Sequence, residues 1–341
     1  MAQSINKYYW MLVVIAAFAY IATIFTAGVL HIQMLNLATY QPHSVASGIN
    51  TYSFSWYYVL AFVVEIVIFT IIIKYIKTSW LQWFYKSYSY ILVGLATFYL
   101  INVYVALVAP LYSFFISLAG IGIILYLFYK YRTKLFNVFG MIIVVGMGSV
   151  LGLIFTPLVA MVLLGVFAVY DYISVFRTKT MLKMANSAVS MDKPAPLMFI
   201  TGNIDAIIKK FQEVRCLNCD SPMNVKRNGK TIEYLCSNCK RNSIETNGKI
   251  TLVYKGDNVA KVSIPKTNGA LLGLGDIMIP SVVMSAYIIQ GNILWAFVLV
   301  GAIIGLIANM FWINKIKKAI PALPLIFIGI AIMLIIGYAV I

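Results

Sequence analysis

Long apolar runs separated by short polar joints dominate this chain. Nine runs stand out, at 8–30, 57–76, 88–109, 111–129, 138–155, 157–176, 268–290, 293–313 and 320–341. Each comes close to the roughly 20 residues that a helix needs to cross a bilayer. Between the sixth and seventh runs the pattern changes. Residues 178–267 carry short alternating stretches broken by Gly, Asn, Asp and Pro, which is a signature of strands and turns. The chain therefore reads as an all-α polytopic membrane protein of nine transmembrane helices. Six helices fill 1–177 and three fill 268–341, with a small β-rich insert in the loop between them.

Composition agrees with that reading and charge orients it. Apolar residues make up 62% of the chain and charged residues only 11%, against about a quarter charged in soluble domains. The first run is too long, and too closely followed by the second, to be a cleaved signal peptide. Its opening Tyr8, Tyr9 and Trp10 suit the membrane interface. Among the short joints, basic residues fall on one side only. They are Lys7; Lys74, Lys77 and Lys86; Lys130, Arg132 and Lys134; and Lys315, Lys317 and Lys318. Positive joints mark the cytoplasmic side. The N-terminus and the long insert are thus expected in the cytoplasm, with Ile341 at the outer face. The net charge of +16 belongs to this bias and to attraction toward anionic lipid. No nucleic-acid-binding motif accompanies it.

The insert contains all four cysteines, as Cys216-Leu217-Asn218-Cys219 and Cys236-Ser237-Asn238-Cys239. Two such knuckles supply the four thiolates of a tetrahedral zinc site. Met223–Lys226 and Thr231–Leu235 flank Asn228-Gly229, a two-residue hairpin signal. A zinc ribbon over about 214–245 follows. The Zn2+ is expected to be structural, because four thiolates close the coordination shell, and cytoplasmic thiols disfavour disulfides. A second hairpin is expected from Ile250–Tyr254 and Lys261–Ile264. Ile204–Val214 reads as a surface helix and Met191–Pro196 as a linker.

Three acidic residues lie inside apolar runs: Glu65, Asp171 and Asp276. Even mild scales put a carboxylate at mid-bilayer at about 2.5–3.5 kcal/mol, so such residues face partners, cavities or chemistry. Asp171 lies six residues inside Arg177, about 9 Å along a helix. Asp276 lies eight residues beyond Asn268, about 12 Å. Their runs are antiparallel, so both carboxylates are expected at matched depth near the cytoplasmic face. Gly273 and Gly275 allow close approach beside Asp276. The plainer alternative is a polar contact holding the bundle together; for Glu65 that, or a place in the wall of the water cavity, is the preferred reading.

Tyr170-Asp171 in the sixth run, Gly273-Leu274-Gly275-Asp276 in the seventh and Pro321-Ala322-Leu323 opening the ninth resemble the presenilin and signal peptide peptidase family. The resemblance covers the whole membrane portion. It implies a GxGD-type intramembrane aspartyl protease with Asp171 and Asp276 as its catalytic pair. Tyr170, Gly273, Leu274, Gly275, Pro321, Ala322 and Leu323 would support the site or bind substrate. Two departures are visible. The zinc ribbon is not part of the familiar pattern. The chain also lacks a long N-terminal tail, suggesting a microbial homologue that works without obligatory subunits.

In the mechanism implied, two close carboxylates share one proton; the ionised one activates water and the protonated one polarises the scissile carbonyl. No cofactor is expected in catalysis. Substrates would be transmembrane helices of other proteins, which must unwind to expose a carbonyl. The segment Lys261–Ile264 is a candidate strand for pairing with the unwound stretch. Two rivals remain. Prepilin or preflagellin peptidases also use two aspartates with a GxGD-type motif, and some carry paired CxxC motifs, although in the bacterial enzymes the cysteines precede both aspartates. A transporter or channel would use the same carboxylates as an ion path, but no internal repeat supports it.

Overall fold

The computed structural model describes residues 2–40, 64, 68, 78–178, 196–202, 223–228, 231–236, 242–246, 249–252, 269–316 and 321–341. Among them, seven helices are long and apolar enough to span a membrane, and an eighth is apolar but shorter. In chain order they are α1 (Ala2–Tyr40), α2 (Thr78–Ala106), α3 (Ser113–Tyr131), α4 (Phe136–Ile154), α5 (Pro157–Ile173), α6 (Leu274–Ile289), α7 (Trp295–Ile316) and α8 (Leu323–Val340). Eight of the nine expected runs coincide with these. The run 57–76, with Glu65, lies outside the described residues apart from Val64 and Ile68, both helical.

Local chemistry explains the ends. α5 starts where the Thr156 hydroxyl accepts from the Val159 N–H at 3.4 Å, with Pro157 following in the first turn. α8 begins at Leu323, with Pro324 in its first turn. Pro321, expected as the helix-starting proline, instead precedes the helix, and the bend passes through Ala322.

The largest departure from expectation is at α6. Its expected run opened at 268, yet Gly269–Gly273 is a β-strand and the helix starts at Leu274. That strand pairs antiparallel with Met198–Gly202, in the register Met198↔Gly273, Phe199↔Leu272, Ile200↔Leu271, Thr201↔Ala270 and Gly202↔Gly269. Met198–Gly202 is β1. The strands Met223–Asn228, Thr231–Cys236, Asn242–Thr246 and Lys249–Leu252 are β2 to β5, and Gly269–Gly273 is β6. β1 is buried against the bundle. Asn137 of α4 clamps it, donating to the Ile200 carbonyl at 2.8 Å and accepting from the Ile200 N–H at 3.0 Å. The Thr201 hydroxyl donates to the Tyr8 carbonyl at 3.0 Å.

β2 to β5 form a four-stranded antiparallel meander in sequence order. The first expected hairpin is present, with Asn228 opposite Thr231. The strand expected around Ile250 pairs with β4, whereas Lys261–Ile264 lies outside the described residues. So do Cys216, Cys219, Cys239, the surface helix Ile204–Val214 and linker residues 191–195.

α6 is the axis of the bundle, packing on α1, α4, α5 and α7. Small residues let the backbones close in. A Cβ built on Gly148 of α4 would lie 2.9 Å from the Ser281 Cβ, and Gly152 meets Ser285 one turn on. α7 and α8 do the same, Gly301 against Gly329 and Gly305 against Ile326. In lipid no hydrophobic force drives helices together, so such close van der Waals packing carries the association.

Candidate active site

Asp171 sits two residues before the end of α5, after which the chain winds into a π-helical turn, Ser174–Thr178. The Ser174 hydroxyl donates to the Asp171 carbonyl at 3.0 Å, tying down that transition. Its carboxylate points at the start of α8. Oδ2 accepts from the Leu323 N–H at 3.3 Å, and the Ala322 N–H faces it as well. A helix N-terminus leaves its first N–H groups unbonded within the helix, and these two turn toward a carboxylate. Pro321, with no N–H, is buried just ahead. The Pro321-Ala322-Leu323 motif thus meets Asp171 through its backbone.

Asp276 is the third residue of α6, with Gly273 as the N-cap and Leu274 and Gly275 between them. Its carboxylate folds back on Gly273, whose N–H faces it. This matches the half of a capping box in which an acidic residue at the third position satisfies the N-cap amide. Gly273 is needed for space: a Cβ there would stand 3.0 Å from Asp276 Oδ2. Around Gly275 nothing comes within 4 Å of a built Cβ. Pro280, four residues beyond Asp276, has no N–H for the Asp276 carbonyl, so the first turn of α6 is loosely tied to the rest.

The two side chains are brought together. Asp171 is 2% exposed and Asp276 7%, and Asp276 feels the charge of Asp171. Asp171 lies in the last turn of α5 and Asp276 in the first turn of α6, and a strand leads to Asp276 in place of the helical turns assumed for it. Tyr170, beside Asp171 in the chain, comes near Tyr85 on α2. Two features escaped the sequence reading. One is β1, whose signal was a short apolar run between Pro196 and Gly202. The other is Tyr20 of α1, buried in the same core as α6. Of the expected zinc ligands only Cys236 falls within a described strand, at the end of β3 opposite Met223.

Residues 21–212, more than half of the chain, match the family described as signal-peptide peptidase, presenilin aspartyl protease. No curated protein matches the sequence. Two crystal forms of a presenilin family intramembrane aspartate protease are similar to it at 17% identity and a TM-score of 0.49. They cover 96% and 97% of this chain and 97% and 99% of that protein. The family match includes Asp171, and the chain belongs to the signal-peptide peptidase and presenilin family of aspartyl proteases.

Proposed function

We propose that this protein is an intramembrane endopeptidase that cuts transmembrane helices of other proteins with Asp171 and Asp276. The observation that carries this reading is the pairing of two buried carboxylates, each met by backbone N–H groups and, among the described residues, by no cation. Here one proton is shared. The ionised carboxylate takes a proton from water as the water attacks the scissile carbonyl, and its neighbour donates to the carbonyl oxygen. The Ala322 and Leu323 N–H groups fix the Asp171 rotamer, and Gly273 fixes that of Asp276.

β6 supports a way of presenting the substrate. Asn137 occupies the outer N–H and C=O of Ile200, which closes the free edge of β1. Leu271, opposite Ile200, therefore turns its own N–H and C=O away from β1. Among the described residues nothing pairs with that edge of β6, which ends three residues before Asp276. An unwound substrate segment added there would deliver its carbonyls to the carboxylates. This role passes from Lys261–Ile264 to Gly269–Gly273.

The insert fits a structural zinc ion. The β2–β3 register sets Cys236 opposite Met223, which follows Cys219 by four residues in the sequence. Cys216, Cys219, Cys236 and Cys239 would hold the ion, which supplies folding energy to a module too small for a core of its own. Basic joints support a cytoplasmic N-terminus and insert.

The decisive experiment incubates the purified protein with a single-span substrate. Asp171→Ala and Asp276→Ala should each abolish cleavage while the thermal midpoint stays near that of the parent. Cleavage surviving either change removes the assignment, and ion flux without cleavage favours a carrier. Leu271→Pro, which deletes one outward N–H of β6, should lower cleavage at least tenfold; full activity in that variant removes the strand-addition step alone.

A further inference from the structure

Tyr20 is a large polar side chain with no exposure at all, in the middle of an otherwise apolar stretch of α1. Its hydroxyl has no hydrogen-bond partner among the described residues. A buried hydroxyl left without a partner costs about 1–3 kcal/mol, which a phenylalanine of the same shape would avoid. A tyrosine at this position therefore calls for an acceptor or donor that the described residues do not supply.

Its height in the bundle says where that group would be. α1 packs on α6 along much of its length. A Cβ built on Gly148 meets Ser281 Cβ at 2.9 Å, Thr23 Cγ2 at 3.7 Å and the Met278 carbonyl at 3.8 Å, so Thr23 stands level with residues 278–281. Further out, His31 Nδ1 lies 2.9 Å from the Ile289 carbonyl. The two helices thus run parallel and in step. Tyr20, three residues before Thr23 and about 4.5 Å lower, comes level with residues 275–278. Asp276 lies in that window, and its charge reaches the Tyr20 hydroxyl. The approach is from α1, whereas Asp171 approaches from α5.

We infer that Tyr20 is a third catalytic group, its hydroxyl donating a hydrogen bond, beside Asp276, to the scissile carbonyl oxygen as it becomes the charged oxygen of the tetrahedral intermediate. The inference rests on the reading of Asp171 and Asp276 as the catalytic pair. It adds no proton transfer. The Tyr20 proton stays on its own oxygen, and the stabilisation grows as negative charge develops on the oxygen it faces. A donor of this kind acts on the transition state more than on substrate binding.

Tyr20→Phe in the full-length protein isolates the hydroxyl. With a single-span substrate, kcat should fall about 10- to 100-fold with KM unchanged. A peptide inhibitor carrying a tetrahedral hydroxyl should lose affinity by a similar factor, while its deoxy analogue binds parent and variant equally. The ratio of the two affinities is read on folded protein only, so it holds even where the variant melts earlier. An unchanged kcat, a change in KM alone, or an unchanged affinity ratio overturns the proposal. If Asp171→Ala or Asp276→Ala retained cleavage, the failure would lie in the carboxylate pair and not in Tyr20.

Discussion

α6 and α3 are both apolar helices of similar length, yet they occupy opposite environments. In α6, 13 of 16 residues are buried. In α3, only Ser113, Ser117 and Phe128 of 19 are. Phe114, Phe115, Ile116, Leu118 and Ile123 of α3 are exposed. The difference shows what apolarity means in a membrane protein. Lipid tails are as apolar as leucine, so a helix needs no hydrophobic reason to be inside or outside. What draws α6 inward is shape, through small residues opposite it, and chemistry, through a carboxylate that lipid would not tolerate.

The contrast predicts that bulk is ruinous in the core and harmless outside. The largest effect is expected where glycine brings two backbones together next to the site. At Gly305 of α7 a Cβ would already lie 2.5 Å from the Ile326 Cα. Gly305→Leu therefore has no soft side chain to push aside. It must shift α8, and with α8 the Ala322 and Leu323 amides that hold Asp171. Overpacking of this kind costs about 1–3 kcal/mol or more, and both the thermal midpoint in detergent and cleavage should drop sharply. A normal melting curve with normal cleavage would show that α7 and α8 are not the rigid support described.

That support was only partly legible in the sequence. The eight helices were, because runs of about 20 apolar residues have few alternatives. The carboxylates were, because a charge in such a run is conspicuous. Gly269–Gly273 was not. Gly-Ala-Leu-Leu-Gly continues the apolar run of α6, and a short apolar run reads equally as strand or buried helix. The deciding factor is β1, some 70 residues earlier in the chain, and periodicity carries no information about so distant a partner. Tyr20 was missed for a related reason. A single tyrosine in an apolar run is ordinary, and only the height of α1 against α6 sets it beside Asp276.

A smaller and more selective effect is expected at Gly273. A methyl group there would stand 3.0 Å from Asp276 Oδ2, and the carboxylate can swing away, because it is a side chain and not backbone. Gly273→Ala should leave the thermal midpoint within a few degrees and cut kcat about 10- to 100-fold, the usual consequence of displacing a reacting group by about an ångström. A large loss of stability with normal turnover per folded molecule would assign Gly273 to packing instead.

The finest test sets Gly275 of α6 against Gly122 of α3. At neither position does a built Cβ meet anything within 4 Å, so alanine at either site should fold, with a gain of helix stability of up to about 1 kcal/mol. For Gly122 that space opens on lipid, and Gly122→Ala should leave kcat and KM unchanged. For Gly275 it opens beside Asp276, next to the end of β6 where an added substrate strand would pass. Gly275→Ala should raise KM several-fold without lowering the thermal midpoint. Equal kinetics in the two variants would mean that the space at Gly275 is not on the path of the substrate, and the approach along β6 would have to be abandoned.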